Sequence, residues 1–176
     1  MGVFTLNACI VGFPIEELRG FALIDIVDPA KRSKMMSGIQ GKNTKPEIAV
    51  RKYLHANGFR FRLHRTDLPG RPDLVLGKYR TVIFVHGCFW HRHKNCVYAT
   101  SPATRQDFWR QKLGKNVARD ALQIKMLLES NWRVLTIWEC GLKHCAGQMG
   151  EIKNHILGDS SMMVWPEYPP KEFYKI

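Results

Sequence analysis

The sequence is poor in acidic residues and has no long hydrophobic run. Asp and Glu total 15 against 27 Lys and Arg, which gives a formal net charge of +12 over 176 residues. No apolar stretch approaches the roughly 18 residues that a membrane span requires, so a membrane protein is not expected. The excess of positive charge is typical of a protein that binds a polyanion, most often nucleic acid. The alternative is a basic surface that only keeps the protein soluble.

Cysteine is also scarce, and the number of cysteines is odd. Five cysteines do not suit the disulfide framework of a small secreted domain, and a reducing compartment is expected instead. The sequence shows no internal repeat. Its length and its 45% apolar residues favour one globular domain.

The charge is distributed unevenly along the chain. Residues 1–30 contain one basic residue, Arg19, and four acidic ones, whereas residues 31–66 contain ten basic residues and one acidic residue. This break predicts an appendage of unknown role over residues 1–27 and a main domain over residues 28–158. Residues 159–176 are rich in aromatic residues and proline, and we expect this tail to pack on the domain surface.

Local patterns predict an α/β domain with a mixed sheet. Thr44 and Glu47 form a capping box at the start of a helix that ends near Gly58. Further helices are expected from Thr104 and over residues 116–129. The predicted strands cover residues 59–63, 74–76, 81–85 and 133–138, and the second and third form a hairpin.

The densest group of potential ligands lies between Val85 and Cys96. It contains two cysteines and three histidines, and Cys88, His93 and Cys96 have the spacing of zinc ligands. A structural zinc site needs a fourth ligand. Cys140, at the end of a predicted strand, is favoured for this position, with Cys145 and His91 as alternatives. The alternative is that this group binds no metal, with the cysteines as buried thiols and the histidines on the surface.

Asp73 opens a predicted buried strand and is a candidate metal ligand. Carboxylate oxygens bind Mg²⁺, which phosphodiester hydrolysis requires together with an activated water. His86 and His91 are candidate bases because histidine titrates near neutral pH. Glu47 is a possible second carboxylate, although its capping role explains it equally well.

Two adjacent aromatic residues, Phe89 and Trp90, lie inside the predicted zinc loop. Such side chains can wedge between base pairs and unstack a duplex step, although one of them could instead pack on the metal site. Met36 and Trp109 are further apolar candidates for a wedge, but both residue types are more typical of a core.

Six motifs in order resemble the very short patch repair endonucleases. They cover residues 28–47, 68–73, 84–91, 102–109, 115–120 and 138–140. The resemblance implies a restriction-endonuclease-like fold, with a mixed central sheet flanked by helices and a structural zinc site. It also implies strand-specific nicking 5′ of the thymine in a T:G mismatch, which arises when 5-methylcytosine deaminates.

The same resemblance assigns roles to residues. Asp73 and the main-chain carbonyl of Val85 match the Mg²⁺ ligands, and His91 matches the general base, with His86 and Glu47 beside it. The zinc ligands implied are Cys88, His93, Cys96 and Cys140, and the gap from His93 to Cys96 is one residue longer than the family pattern. The DNA-intercalating residues implied are Phe89, Trp90 and Met36.

The expected partner is double-stranded DNA with a T:G mismatch. Mismatch-repair proteins and a repair polymerase are further expected partners of a monomeric enzyme in the bacterial cytoplasm, associated with the nucleoid. Two other functions fit the residues. One is a restriction-type endonuclease that cuts both strands, and the other is a zinc-stabilised DNA-binding module without catalysis.

Overall fold

A five-stranded mixed sheet lies at the centre of the protein in a computed structural model that describes residues 28–38 and 41–171. The strands are β1 (Arg62–Leu63), β2 (Leu74–Leu76), β3 (Thr81–His86), β4 (Arg133–Trp138) and β5 (Met162–Trp165). They lie in this order across the sheet. β1, β2 and β3 are antiparallel neighbours, whereas β3, β4 and β5 run parallel. The predicted mixed α/β sheet is therefore confirmed.

Helices cover both faces of this sheet. They are α1 (Pro29–Ser37), α2 (Lys45–Ala56), α3 (Gln106–Glu129), α4 (Glu139–His144) and α5 (Gly150–Leu157). Alternate side chains of each strand point to opposite faces. In β3, Ile83 packs in the cluster with α2 and α5, whereas Val82 and Phe84 pack with Leu127 of α3. The candidate catalytic residues at and after the end of β3, His86 and His91, therefore lie between two layers of helices.

Helix α2 and the hairpin of β2 and β3 agree with the sequence prediction. Thr44 caps α2, and its capping box with Glu47 is complete. β2 and β3 pair antiparallel, with a 3₁₀ turn over Gly77–Tyr79 between them.

Three predictions of secondary structure are corrected. The region expected as two helices is the single helix α3, which runs 24 residues from Gln106 with Arg105 at its cap position. Only Arg62–Leu63 of the strand expected over residues 59–63 pairs in the sheet, while Phe59 is buried in the core.

The third correction concerns the end of the chain. The tail over residues 159–176 is predicted to pack on the domain surface, but within it Met162–Trp165 form β5 in the sheet and the Trp165 side chain is fully buried. The predicted appendage over residues 1–27 lies outside the described residues, and the domain limits at residues 27 and 158 stay predictions. No helix in the described ranges is long and apolar enough to cross a membrane.

Candidate active site and metal centre

A cleft of about 930 Å³ opens where β2 and β3 meet α2 and α3. Its lining includes every residue that the sequence analysis placed in the catalytic centre, namely Glu47, Asp73, Val85, His86 and His91. These residues are spread over 45 positions of the chain. The fold therefore brings the predicted catalytic residues to one place, although their roles stay predictions.

Asp73 lies just before β2, at the floor of this cleft. Its Oδ2 accepts a hydrogen bond from the backbone N–H of Val85 at 2.7 Å. Burial raises the pKa of the Asp73 carboxyl to about 6, and the negative charge of Glu47 acts in the same direction. A buried carboxylate close to a second acid suits a divalent cation, which would neutralise the repulsion.

The loop before Asp73 needs a glycine at position 70. Gly70 has φ +77°, a conformation that side chains disfavour, and a Cβ there would lie 2.8 Å from Oε1 of Gln123 on α3. The close approach of this loop to α3 sets the position of Asp73 relative to the helix.

Glu47 both caps α2 and faces the cleft. Its side chain is 5% exposed, and Oε1 accepts from the Thr44 hydroxyl at 2.8 Å. Oε2 accepts from the Asn43 N–H at 3.0 Å and from Arg51 at 2.7 Å. The capping role is confirmed, and the catalytic role of Glu47 stays a prediction.

His64 lies between the two carboxylates and was not assigned to the site by the sequence analysis. Its Nδ1 is 3.9 Å from Asp73 Oδ1, and its Nε2 is 4.0 Å from Glu47 Oε2. Burial lowers the pKa of the His64 imidazole. The sequence offered no signal for this position beyond the alternation of a short strand.

His91 is paired with a carboxylate that the sequence analysis also missed. Its Nδ1 lies 2.5 Å from Oδ2 of Asp120 on α3. Burial acts to raise the pKa of Asp120, but the hydrogen bond with His91 lowers it overall. An ionised carboxylate only accepts hydrogen bonds, so the proton is on Nδ1 and the lone pair of His91 is on Nε2. This is the tautomer that a general base needs.

His86 stacks on His91 and is held neutral. The two ring centroids are 3.8 Å apart and the rings are nearly parallel. Burial lowers the pKa of His86 to about 3, and the charge of His91 acts in the same direction. A neutral His86 places no second positive charge beside His91.

The four expected zinc ligands are brought together beside the cleft. Cys88, His93, Cys96 and Cys140 are buried, and their ligand atoms all lie within 4.8 Å of one another. His93 Nδ1 is 3.7 Å from the Cys88 sulfur and 3.3 Å from the Cys140 sulfur. Hydrogen bonding from Cys140 lowers the pKa of Cys88 to about 4. Three thiols and one imidazole at this spacing fit a closed tetrahedral site, the arrangement of structural zinc.

The geometry favours Cys140 over the alternatives as the fourth ligand. Cys140 is the second residue of α4, which follows β4 directly, and β4 pairs with β3 ahead of Cys88. His91 is instead bonded to Asp120, and Cys145 is half-buried and packs against the core that contains α2 and α5. Glu139 joins this centre to the cleft, since it lines the cleft and accepts from the Cys88 N–H at 3.1 Å.

Aromatic side chains gather at the outer end of the same loop. Phe89 and Trp90 are in edge contact at 4.9 Å, and Trp109 of α3 lies 5.6 Å from Phe89. The Lys112 ammonium is 5.7 Å from the Trp109 ring and 5.8 Å from the Trp90 ring. All three aromatic rings are partly exposed. Met36 lies in α1, and its side chain is outside the described part of the chain.

Carboxylates at strand ends, a histidine–aspartate pair and a basic aromatic rim are the parts of a phosphodiester-cleaving enzyme. The fold and the cleft therefore fit a nuclease of the α/β class. Comparison with known proteins agrees: the family model described as DNA mismatch endonuclease Vsr matches residues 24–97. The chain belongs to this Vsr family of DNA mismatch endonucleases.

Curated relatives extend the match over most of the chain. The DNA mismatch endonuclease Vsr of Escherichia coli is 48% identical over 121 residues, which are 69% of this chain and 77% of that protein. The type II nicking enzyme V.XorIIP of Xanthomonas oryzae is 43% identical over 132 residues, 75% of this chain and 96% of the relative. The type II nicking enzyme V.NmeAIP of Neisseria meningitidis is 44% identical, over 70% of this chain and 88% of the relative.

Proposed function

We propose that the protein is a magnesium-dependent, strand-specific DNA endonuclease that nicks 5′ of the thymine in T:G mismatches left by deamination of 5-methylcytosine. The observation that carries this proposal is the meeting of Asp73 with the His91–Asp120 pair in one cleft, below a rim of aromatic residues. Relatives that are named mismatch endonuclease and nicking enzymes support the substrate and the cleavage of one strand. The restriction-type and non-catalytic alternatives lack this support.

Asp73, together with the main-chain carbonyl of Val85, would hold Mg²⁺. Bound there, the ion supplies charge neutralisation at the scissile phosphate. The chain's own contribution is to fix the carboxylate. The Val85 N–H holds one oxygen of Asp73, and the tight loop at Gly70 sets its approach to α3.

His91 acts on the attacking water. With its Nδ1 proton directed to Asp120, its Nε2 takes a proton from water as the water oxygen bonds to phosphorus. The P–O bond to the leaving strand end breaks, and the released oxygen takes a proton from solvent. Asp120 orients the ring and stabilises the positive charge that the imidazole gains. His86, neutral and stacked on His91, excludes solvent from one face of the base.

The aromatic rim recognises the weakened duplex step. Phe89, Trp90 and Trp109 form one partly exposed cluster beside the cleft, and Met36 is the predicted wedge from the amino-terminal side. Unstacking costs least at a mismatched step. Insertion of an aromatic side chain is therefore favoured beside a T:G mismatch over a Watson–Crick pair. Lys112, which lies over these rings, adds positive charge where the phosphate backbone would pass.

The zinc centre gives this rim a rigid base. Cys88, His93 and Cys96 flank or lie within the loop that carries Phe89 and Trp90, and Cys140 ties the loop to the end of β4. We assign zinc a structural role because all four ligand positions are filled by protein side chains, which leaves no open position for chemistry.

Basic residues from Lys31 to Arg65 are assigned to the phosphate backbone. Several of them are exposed, including Lys42, Lys45, Lys52 and Arg60. Binding is therefore expected to weaken steeply with salt. Mismatch-repair proteins and a repair polymerase as partners, the monomeric state and association with the nucleoid stay predictions.

The direct test compares wild type with Asp73→Ala in Mg²⁺ on a T:G duplex. We expect the variant to lose nicking and keep its affinity for the duplex, because the aromatic and basic residues assigned to DNA contact are unchanged. Full activity of Asp73→Ala would overturn the assignment of the catalytic centre. Cleavage of both strands by wild type would favour a restriction-type enzyme, and no Mg²⁺-dependent product would favour a binding module.

A further inference from the structure

A chain of polar contacts joins the two carboxylates of the cleft through Arg51 and His64. Arg51 lies one helical turn after Glu47 on α2, and its Nη2 donates to Glu47 Oε2 at 2.7 Å. The same Nη2 lies 3.2 Å from Nε2 of His64, whose Nδ1 faces Asp73. Asn43 completes the chain, since its Oδ1 accepts from Arg51 Nη1 at 2.6 Å.

Arg51 differs from the other cations of the basic segment because it points inward. Its side chain is 15% exposed, whereas Lys52 and Arg60 are exposed to solvent. A guanidinium that contacts three internal partners is not available to the DNA backbone, so Arg51 is excepted from the basic residues assigned to that backbone. Its charge acts inside the cleft, where it opposes the rise in the pKa of Asp73.

The contact with Arg51 fixes the tautomer of His64. Arginine carries donors only and stays protonated, so His64 Nε2 must be the acceptor of this contact. The single ring proton of the neutral imidazole is then on Nδ1, directed at Asp73 Oδ1 3.9 Å away. This distance exceeds a hydrogen bond, but active-site contacts of this kind commonly tighten when substrate binds.

The backbone at His64 limits the substitutions that this position accepts. His64 has φ +47°, in the left-handed region that glycine adopts freely and asparagine tolerates. Seven other non-glycine residues of the described chain also have a positive φ, so a role for the ring follows from its contacts and not from its backbone.

We propose that His64, held by Arg51, is a positioning residue that orients the Asp73 carboxylate for the divalent cation. The Val85 N–H holds Oδ2 of Asp73 from one side, and His64 Nδ1 faces Oδ1 from the other at 3.9 Å. A carboxylate oxygen has two lone pairs, so Oδ1 can accept from His64 and still ligate a cation. The inference rests on the proposed function, because it assumes that Asp73 is the cation's ligand.

The test compares two variants of the full chain, His64→Gly and His64→Asn. Glycine removes the ring and suits the positive φ, so it avoids added backbone strain. Asparagine also tolerates this conformation and places an amide N–H close to the position of Nδ1. Each variant is assayed for the Mg²⁺ concentration that gives half the maximal single-turnover nicking rate on a T:G duplex. Zinc content and melting temperature check that both variants fold.

We expect His64→Gly to need about 10- to 100-fold more Mg²⁺, as loss of a residue that orients a metal ligand typically requires. His64→Asn should show a smaller increase than His64→Gly, because it keeps a donor to Asp73 but loses the contact with Arg51. Affinity for the duplex without Mg²⁺ should be unchanged in both. Wild-type Mg²⁺ dependence in His64→Gly, or an equal defect in His64→Asn, would overturn the proposal. Wild-type nicking by Asp73→Ala would instead overturn the proposed function.

A measurement independent of activity reads the tautomer directly. Nitrogen-15 NMR of labelled histidine in the Mg²⁺-free protein should show His64 protonated at Nδ1, and Arg51→Met should release this preference. His64→Gly and Arg51→Met should also be non-additive in their Mg²⁺ requirement, because both break one chain of contacts. A resting Nε2–H tautomer, or fully additive effects, would refute the role of Arg51 as the group that holds His64.

Discussion

Replacement of Asp73 by asparagine should stabilise the Mg²⁺-free protein while it abolishes nicking. The Asp73 side chain is 22% exposed, and burial raises the pKa of its carboxyl to about 6 from the usual 3.8. At neutral pH the folded protein therefore holds an unfavourable charge. Asparagine has nearly the same shape, keeps an oxygen that can accept from the Val85 N–H, and carries no charge.

The magnitude and its sign follow from the two pKa values. The difference between them corresponds to about 3 kcal/mol. This is an upper limit, because partial exposure and relaxation reduce the penalty. A carboxyl with a raised pKa in the folded state contributes stability that is present below pH 3.8 and lost as the pH rises through about 6. The advantage of Asp73→Asn should therefore be greatest at neutral pH and should vanish near pH 4.

Urea unfolding of the zinc-loaded, Mg²⁺-free protein measures this effect. At about pH 7.5 we expect Asp73→Asn to exceed wild type by about 1–3 kcal/mol, and at about pH 4 the two should agree. The matched control is Asp67→Asn. Asp67 is exposed, and its hydrogen bond with Arg65 lowers its pKa, so its loss should bring no gain. A less stable Asp73→Asn variant at neutral pH, or a gain that persists at pH 4, would refute the reasoning.

Three further substitutions test other parts of the site. Asp120→Asn should slow single-turnover nicking by up to about 10⁴-fold with duplex affinity retained, because the asparagine amide can donate to Nδ1 of His91 and favour the wrong tautomer, and a wild-type rate would contradict this. Cys140→Ser should lose bound zinc and melt at a lower temperature, whereas Cys145→Ser should keep the zinc content and the melting temperature of wild type. Normal zinc content in Cys140→Ser would exclude Cys140 as a ligand. Trp90→Ala should weaken binding to a T:G duplex by about 1–3 kcal/mol, as loss of a stacking aromatic does. The exposed Tyr168 is the control site, and equal effects of Trp90→Ala and Tyr168→Ala would argue against a stacking role.

The sequence predicted the elements whose signals are local. The capping box at Thr44 marks α2, and the apolar runs of β2 and β3 mark the central hairpin. The sequence analysis predicts two helices, one from Thr104 and one over residues 116–129, but the single helix α3 continues through Gly114. The buried residues of this helix, such as Leu127, pack against the sheet and outweigh the local preference. The end of the chain was misjudged because β5 is short and carries no alternating pattern.

In the candidate site too, local motifs predict some residues, whereas others are brought in only by contacts between distant elements. Asp73, His91 and the clustered cysteines stand in motifs that can be read along the chain. Asp120 was missed because it lies 29 residues after its partner His91, and only the packing of α3 against the loop brings them together. His64 and Arg51 were missed for a similar reason, since they are 13 residues apart on different elements. Contacts between elements leave no periodic mark in a single sequence.

The most direct test of the whole account is a strand-resolved nicking assay on three otherwise identical duplexes. They carry T:G, T:A or C:G at one position, and each strand has its own label. With Mg²⁺, wild type should cut the T:G duplex alone, in the thymine strand, on the 5′ side of the mismatched base. Equal cleavage of the T:A or C:G duplex, or cleavage of both strands of the T:G duplex, would contradict a mismatch-dependent nicking enzyme.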